Sequence, residues 1–242
     1  MRLVVLCLLC AACQAQLGRT PNGLGPDAAK PVDAAAIDTK PLDAPLDAPA
    51  CGNGRVVFLN FGGQTISKAN TADATQNDAA WPGAATVTMP AYGGNATQQA
   101  AIVTQLQNTF ATVDPNITFV TTRPTNGPYI MIGFGGSMAD ANVQFTGAVN
   151  TLDCGDTNKS DLGWVFDGIG TTEAANFAAG AIGYGMGASG TGKSTDCMCS
   201  WNSNCAPNTG TACTFSANIA TQNGCPGTNP QNDVALIQTF CN

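Results

Sequence analysis

Residues 180–198 of this chain read GAIGYGMGASGTGKSTDCM, and they contain the most specific spacing pattern in its 242 residues. Small residues dominate this segment, in which Gly183 and Gly187 recur at helical spacing. We expect a helix over residues 171–187 that ends sharply at Gly187, because glycine readily adopts the left-handed backbone that closes helices. Each interior glycine costs about 0.5–1 kcal/mol relative to alanine, so packing against the rest of the domain must hold this helix together.

The segment resembles the H-E-x-x-H-x-x-G-x-x-H signature and Met-turn of the metzincin zinc proteases, a family that includes the matrixins and astacins. In that family three His hold Zn²⁺, and the Glu is the general base for the metal-bound water. Here the His positions carry Gly180, Tyr184 and Gly190. Ala181 replaces the Glu, and Met198 stands at the Met-turn. Because the chain has no histidine, the resemblance implies a metzincin-like fold without zinc, catalytic residues or protease activity.

Hydrophobic patterning elsewhere predicts a sheet covered by helices. Apolar, β-branched segments indicate strands at residues 55–61, 117–122, 128–134, 147–149 and 162–166. Residues 64–94 are expected to form a long polar excursion. The order of strand, helix, further strands and signature helix is similar to that of the metzincin upper subdomain. We therefore expect an α/β (α+β), metzincin-like zincin domain with a mixed twisted sheet, two main helices and a disulfide-rich C-terminal subdomain.

Two amphipathic helices are predicted outside the signature segment. Asn95 and Gln98 have the spacing of a capping box, and apolar residues recur at helical spacing over 102–113. This helix is expected to cover the sheet with its apolar face. A second helix is expected to open at Asn229-Pro230, because proline is favoured in the first helical turn.

The N-terminal residues are expected to direct export and then to act as a tether. Residues 1–12 carry Arg2 followed by a short apolar run, which is typical of a secretion signal. Cys13 ends a segment that looks like a bacterial lipobox, so we expect a lipid anchor at Cys13. Residues 13–50 are rich in Pro, Ala and Asp and bury too little apolar surface to fold. The protein is therefore predicted to be an exported bacterial cell-envelope lipoprotein of the outer membrane or cell surface. A secreted soluble protein is the alternative.

Residues 51–242 form the expected domain, with a sheet and helix part over about 51–187 and a Cys-rich part over 188–242. The domain carries five Lys or Arg against eleven Asp or Glu, so it should repel phosphate backbones. No basic stripe interleaved with aromatic residues occurs in the sequence, which argues against nucleic acid as a partner. The predicted partners are the membrane, through the lipid anchor, and a protein or peptide.

The cysteines of the domain are even in number, as expected of a disulfide framework in an exported protein. They are Cys51, Cys154, Cys197, Cys199, Cys205, Cys213, Cys225 and Cys241. Most of them follow residue 196, so we expect an irregular stapled segment that Cys51 or Cys154 ties to the earlier part of the chain. Sequence alone does not choose the pairing. A thiolate metal site at Cys197 and Cys199 is the less favoured alternative.

A second motif overlaps the signature segment. Residues 187–194 match the phosphate-binding pattern G-x-x-x-x-G-K-[ST], including its Lys193. Such a loop normally follows an apolar strand and opens a helix. Here Gly-rich sequence precedes the loop, and a Cys-rich segment without helical periodicity follows it. We interpret the match as coincidental and expect no nucleotide.

Acidic residues before and after residue 160 suggest a calcium hypothesis. Asp156, Asn158, Ser160 and Asp167 have the spacing of the first, third, fifth and last ligands of an EF-hand loop. Asp161 stands where that loop requires glycine. A solvated polar hairpin is therefore the favoured interpretation. No cofactor is predicted, calcium is the less favoured alternative, and zinc is not expected.

These patterns favour a surface-anchored, catalytically inactive metzincin-like domain that acts in binding. The former substrate cleft would hold a protein or peptide, with Tyr184 standing where a zinc ligand would be. Two alternatives stay open. One is a hydrolase that uses carboxylates or an unrecognised metal site, and the other is a purely structural, disulfide-stapled envelope module.

Overall fold

The structure is a computed structural model, and it describes residues 54–145, 147–201, 205–206, 209–220, 225 and 230–239. The predicted signal, the tether with Cys13, and the cysteines at 51 and 241 lie outside these residues. Within the described part, no helix has both the length and the apolar composition that crossing a membrane requires.

Two sheets and four α-helices form a mixed α/β domain in the described part of the chain, which confirms the predicted α/β class. The strands are β1 (Val56–Asn60), β2 (Gln64–Lys68), β3 (Asp78–Ala79), β4 (Thr86–Met89), β5 (Thr118–Val120), β6 (Ile130–Phe134), β7 (Ala148–Val149) and β8 (Leu162–Val165). The helices are α1 (Ala96–Ala111), α2 (Met138–Ala141), α3 (Thr171–Gly185) and α4 (Asp233–Thr239). A 3-10 helix spans Cys197–Trp201.

The larger sheet has the strand order β5-β1-β6-β8-β7. Its first four strands are parallel to one another, and β7 pairs with β8 in antiparallel fashion at the edge. Both faces of β1 are buried, because Val57 and Leu59 pack in the core with α1 and α3 while Phe58 packs in a second core on the other side. This confirms the internal strand that the two apolar faces of residues 55–61 predict.

Residues 64–94 contain a second sheet, so the predicted polar excursion is wrong. Strand β2 pairs antiparallel with β4 and parallel with β3. Ile66, Val87 and Met89 are buried in the second core, and the strand residues beside them are exposed. Each strand offers only one or two apolar residues, which is too few for alternation to stand out in the sequence.

Helix α1 begins with the predicted capping box. The Asn95 side chain accepts from the backbone N–H of Gln98 at 3.0 Å, and the Gln98 side chain accepts from the backbone N–H of Asn95 at 2.9 Å. Ile102, Leu106 and Phe110 form its buried face against the sheet and α3. The predicted helix and its core-facing stripe are therefore confirmed.

Helix α3 is buried along most of its length despite its glycines. It closes with a Schellman motif, in which Gly187 has φ +87°. The Gly187 N–H donates to the Tyr184 carbonyl at 3.1 Å, and the Ala188 N–H donates to the Gly183 carbonyl at 2.9 Å. The predicted helix is confirmed with its stop at Gly187, although the last helical residue is Gly185.

Three disulfides staple the Cys-rich segment and confirm the predicted framework for six cysteines. They join Cys154 to Cys225, Cys197 to Cys213, and Cys199 to Cys205. The first of these ties the segment to the earlier part of the chain, as expected for Cys154. Because Cys197 and Cys199 are both in disulfides, the alternative of a thiolate metal site is wrong.

The two parts of the domain share one core. Met198, Phe215 and Ile237 pack in the same cluster as the buried faces of α1 and α3. The buried side chain of Asn176 on α3 reinforces this connection, because its Oδ1 accepts from the backbone N–H of Cys213 at 2.9 Å. The segment after residue 188 therefore completes the core that the earlier elements begin.

The C-terminal helix begins at Asp233 rather than at Asn229-Pro230. Gln231 forms an isolated β-bridge with Ile219, and its backbone N–H donates to the Ile219 carbonyl at 2.7 Å. Asn232 then caps the helix, since its Oδ1 accepts from the Ala235 N–H at 2.9 Å. The predicted start is wrong because this long-range bridge holds the residue after Pro230 in an extended conformation.

Candidate functional site

The signature helix α3 packs against the 3-10 helix through its glycines. A Cβ added at Gly183 would lie 2.8 Å from the Sδ of Met198. A Cβ added at Gly180 would lie 2.7 Å from the carbonyl oxygen of Cys197 and would also strike the indole nitrogen of Trp201. Glycine is therefore needed at both positions for the two helices to approach this closely.

Tyr184 and Trp201 form a stacked aromatic pair, with ring centroids 4.5 Å apart and planes inclined by 21°. Gly180 and Tyr184 are one turn apart on α3 and so share a face of the helix. The Trp201 indole thus contacts both helix positions where the metzincin signature carries its paired zinc ligands. An aromatic ring fills the volume that ligand side chains from those positions would use.

Each ring carries one polar atom. Burial raises the pKa of the Tyr184 phenol above its ordinary value, so this side chain is a neutral hydrogen-bond donor at pH 7. The Nε1 of Trp201 is buried and has no hydrogen-bond partner among the described residues. A buried donor without a partner is costly. The partly exposed rings, rather than this buried atom, make the pair a candidate for contacting a ligand.

Met198 lies directly beneath α3 and is fully buried. Its backbone N–H donates to Asp196 Oδ1 at 2.8 Å, and its carbonyl accepts from the Thr191 N–H at 3.2 Å. Thr191 follows Gly190, which is itself buried. The hydrogen bond to Met198 thus comes from the residue that directly follows the third-ligand position of the signature.

Positions 180 and 184, and the residue that follows position 190, therefore all contact the 3-10 helix. Gly180 and Tyr184 contact Trp201, and the residue after Gly190 is hydrogen-bonded to Met198. Ala181, at the position of the catalytic Glu, is fully buried. None of these side chains is a His, Cys or carboxylate that could hold zinc.

Residues 187–194 do not have the setting of a phosphate-binding loop. They follow α3 rather than a strand, and the 3-10 helix begins only at Cys197. Ser189 is fully buried, and its backbone N–H donates to Gln231 Oε1 at 3.0 Å. The Lys193 Nζ donates to Ser216 Oγ at 2.9 Å. These contacts occupy the groups that would otherwise hold a phosphate.

The acidic residues of the calcium hypothesis are only partly brought together. Asp153, Asp156 and Asp161 each place a carboxylate oxygen within 4.8 Å of the others. Asp167 lies at the other end of β8, where its Oδ2 accepts from the backbone N–H groups of Gly93 at 3.1 Å and of Gly136 at 3.2 Å. Asp167 therefore does not join the other residues of the less favoured calcium hypothesis, because β8 separates it from the loop before that strand.

Donors within the protein already occupy most of the acidic cluster. Arg55 pairs with both oxygens of Asp156, and Lys159 Nζ lies 2.6 Å from Asp156 Oδ2. The Asn158 backbone N–H donates to Asp153 Oδ2 at 2.6 Å. A Ca²⁺ ion needs several oxygens free of such donors. These residues therefore do not fit a calcium-binding site well. They are better described as a cluster of ion pairs.

The protonation of Asp161 determines the net charge of that cluster. Burial, followed by the nearby charges of Asp153 and Asp156, raises the pKa of Asp161 to about 8. Its Oδ2 has no hydrogen-bond partner among the described residues. With Asp161 protonated at pH 7, two carboxylates face the cations of Arg55 and Lys159.

Sequence reasoning missed two features of this region. Trp201 lies three residues after Met198, and no motif marks it as a neighbour of Tyr184. Asp233 is fully buried, and burial together with the Asp196 charge raises the pKa of Asp233 to about 8. Pairs that are distant along the chain leave no local pattern, so only the tertiary structure reveals them.

No family model matches this chain, and no curated protein shows significant similarity to it. The metzincin resemblance therefore depends on the signature segment and on the order of the elements around it.

Proposed function

We propose that the domain is a metzincin-like binding module that has lost zinc and protease chemistry. The order of its elements supports this proposal, because β1, α1, β5, β6, β7 and β8 precede the signature helix α3. The packing of Met198 beneath Gly183 supports it further, since the Met-turn of that family belongs to the floor of the site. The helix that stops at Gly187 also agrees with the signature.

The loss of zinc chemistry follows from residue types. Zn²⁺ in proteins is held by His, by Cys thiolates or by carboxylates, and Gly180, Tyr184 and Gly190 offer none of these. Ala181 cannot take a proton from water. The chain contains no histidine that could substitute from elsewhere.

The observation that carries the binding proposal is the stack of Tyr184 on Trp201. Both rings are partly exposed, so a ligand can reach them. Aromatic side chains with a polar tip are enriched in binding sites because they combine apolar area with a hydrogen-bond donor. We propose that an extended peptide or protein segment contacts the exposed parts of these two rings.

A hydrolase based on carboxylates has less support. Asp161 and Asp233 have the raised pKa values that a general acid needs, but both are almost completely buried. A substrate could not reach either carboxyl group in this conformation.

We also propose that the protein is exported and anchored through a lipid on Cys13. The sequence of the N-terminal segment supports this, as does the presence of disulfides, which persist in oxidising compartments. Mass spectrometry of the mature N-terminus tests it. A diacylated Cys13 supports the anchor, and an unmodified terminus downstream of Cys13 contradicts it.

The binding proposal is tested by selecting random displayed peptides on the full-length protein. The selected peptides are then measured against Trp201→Ala and Phe145→Ala by calorimetry. Phe145 is a matched control, because it is an aromatic residue with 61% of its surface exposed and it lies outside the pair. We expect Trp201→Ala to weaken binding at least about tenfold, which corresponds to about 1.4 kcal/mol, and Phe145→Ala to leave it unchanged.

Each outcome distinguishes among the hypotheses. Equal binding by Trp201→Ala and the wild type contradicts the site, and failure to select any peptide favours a purely structural module.

Zinc content is measured on the same protein by plasma mass spectrometry, together with cleavage of a mixed peptide library. If the protein binds one zinc per chain and a chelator stops its cleavage of peptides, the proposed loss of protease activity is contradicted.

A further inference from the structure

A cleft of about 610 Å³ lies between the turn that connects β2 to β3 and the loop that connects β5 to β6. The turn contributes Thr75 and Gln76 to its walls, and the loop contributes residues 123–127 and Tyr129. Small-molecule sites commonly have volumes of about 300–1,000 Å³. Neither Tyr184 nor Trp201 lines this cleft, so it is separate from the site of the proposed peptide binding.

Hydrogen bonds hold the turn over residues 73–78 in shape. The backbone N–H groups of Asp73 and Asp78 each donate to the carbonyl of the other residue, at 2.9 and 3.0 Å. The Oδ1 of Asp73 also accepts from the backbone N–H of Thr75 at 2.9 Å and from the Thr75 hydroxyl at 2.7 Å. A wall that is ordered before binding reduces the conformational entropy lost when a ligand binds.

Arg123 fastens the loop to the turn and keeps one nitrogen without a partner. Its Nη2 donates to the Ala74 carbonyl at 2.6 Å and to Asn77 Oδ1, and its Nε donates to the Tyr129 hydroxyl at 2.7 Å. Among the described residues, Nη1 has no acceptor and the guanidinium has no ion-pair partner. Because Arg123 is partly exposed and lines the cleft, the N–H groups of Nη1 can serve a ligand.

The contacts of Arg123 favour a ligand without a carboxylate. A carboxylate binds a guanidinium best through two parallel hydrogen bonds, and both edges that offer such a pair include Nη2. The Ala74 and Asn77 oxygens already occupy Nη2, so Nη1 can bind only a single acceptor oxygen. Asp73 and Asp78, at the two ends of the neighbouring turn, add negative charge that further disfavours an anion.

The other polar side chains of the cleft are hydroxyls and amides. Thr75, Gln76, Thr125 and Asn126 all line it and are exposed. Their contacts with one another are long, at 3.4 Å between the first two and 3.3 Å between the last two. Hydroxyl and amide groups both donate and accept hydrogen bonds, and sugar hydroxyls do the same.

We propose that this cleft binds a neutral carbohydrate, with Nη1 of Arg123 donating to one sugar oxygen and the threonine, glutamine and asparagine side chains binding the neighbouring hydroxyls. This site does not depend on the proposed peptide binding, because the two sites share no residue.

The proposal is tested by screening the full-length protein on an array of oligosaccharides. The neutral probes are glucans, mannans, galactans and N-acetylglucosamine oligomers, and the acidic probes are uronic-acid and sulfated oligosaccharides. The strongest neutral binder is then titrated into ¹⁵N-labelled protein. We expect the amide signals of residues 75, 76 and 125–127 to move. The dissociation constant should stay the same between about 50 and about 500 mM NaCl, because salt screens charge interactions and leaves neutral hydrogen bonds.

Thr125→Ala and Asn126→Ala should each weaken this binding about two- to tenfold, the effect of losing one hydrogen bond. Two variants are used so that a folding failure of one leaves the other, and Arg123 is kept because it also holds the turn. Thr97→Ala is the matched control, since Thr97 is an exposed threonine on α1 outside the cleft, and it should bind like the wild type.

Four results would overturn the carbohydrate site. They are the absence of any neutral binder, binding confined to acidic oligosaccharides and lost at high salt, equal affinity of both cleft variants and the wild type, and an equal loss of affinity in Thr97→Ala.

Discussion

The indole ring of Trp201 stacks on the phenol ring of Tyr184 with centroids 4.5 Å apart. The same indole would collide with a Cβ atom on Gly180. Placing histidines at positions 180, 184 and 190 would therefore not create a zinc site while Trp201 remains. Under the proposed metzincin relationship, the absence of the ligands and the filling of their space would be two parts of one packing arrangement.

The close approach of α3 to the 3-10 helix predicts that Gly180→Ala destabilises the protein. A methyl group there would lie 2.7 Å from the Cys197 carbonyl, which is backbone and cannot swing away. We expect a net loss of about 1–3 kcal/mol in the free energy of unfolding, although alanine favours a helix by up to about 1 kcal/mol. Urea denaturation measures the change in the free energy of unfolding. Gly192→Ala is the control, since a Cβ there meets nothing within 4 Å, and a stabilised Gly180→Ala protein would contradict the packing.

The ion pair between Arg55 and Asp156 predicts a large cost for removing the Asp156 charge. The two side chains are 8% and 0% exposed, so Asp156→Asn leaves the buried guanidinium without its carboxylate. Asparagine tolerates the positive φ of 47° at this position. We expect a loss of about 3 kcal/mol in the free energy of unfolding. Lys159→Ala, at the more exposed partner, should cost less than about 1 kcal/mol, and similar costs for the two variants would disprove the assignment.

The raised pKa values of Asp161 and Asp233 predict that stability falls as pH rises from about 4 to about 8. The unfolded chain releases these protons near pH 4, whereas the folded chain holds them until near pH 8. Between those values the folded state binds more protons, so raising the pH favours unfolding. The expected slope is at most about 1.4 kcal/mol per pH unit for each carboxyl group. Denaturation at several pH values measures the slope. Asp161→Asn should reduce it, and a free energy of unfolding that rises over this interval would rule out the buried protons.

The disulfides predict unequal contributions to stability. Cys154–Cys225 spans 71 residues of sequence and Cys199–Cys205 spans 6. Closing the longer loop restricts the unfolded chain more, with expected contributions of about 4 kcal/mol and about 2 kcal/mol respectively. Paired Cys→Ala variants compared by thermal and urea unfolding measure the difference. A larger loss on removing the short loop would show that native-state contacts, rather than loop closure, dominate.

The elements with strong local signals could be predicted from the sequence. The capping box of Asn95 and Gln98 defines the start of α1 by side-chain chemistry within one turn. Gly187 ends α3 because glycine adopts positive φ without steric cost. The second sheet could not be predicted in the same way, because its strands stabilise one another only after they meet. The start of α4 was missed for a related reason, since the bridge between Gln231 and Ile219 involves residues that are distant in sequence.

The sequence by itself determined that the three-histidine zinc site of the resembled signature cannot form here, because the chain lacks histidine, and that Ala181 stands at the position of that signature's general base. Side-chain identity is enough for that conclusion. Only the tertiary structure decided that Trp201 fills the space beside Gly180 and Tyr184, and that Asp161 and Asp233 are buried deeply enough to keep their protons at pH 7. Packing and protonation depend on neighbours and on exclusion of water, and both arise only when distant segments come together.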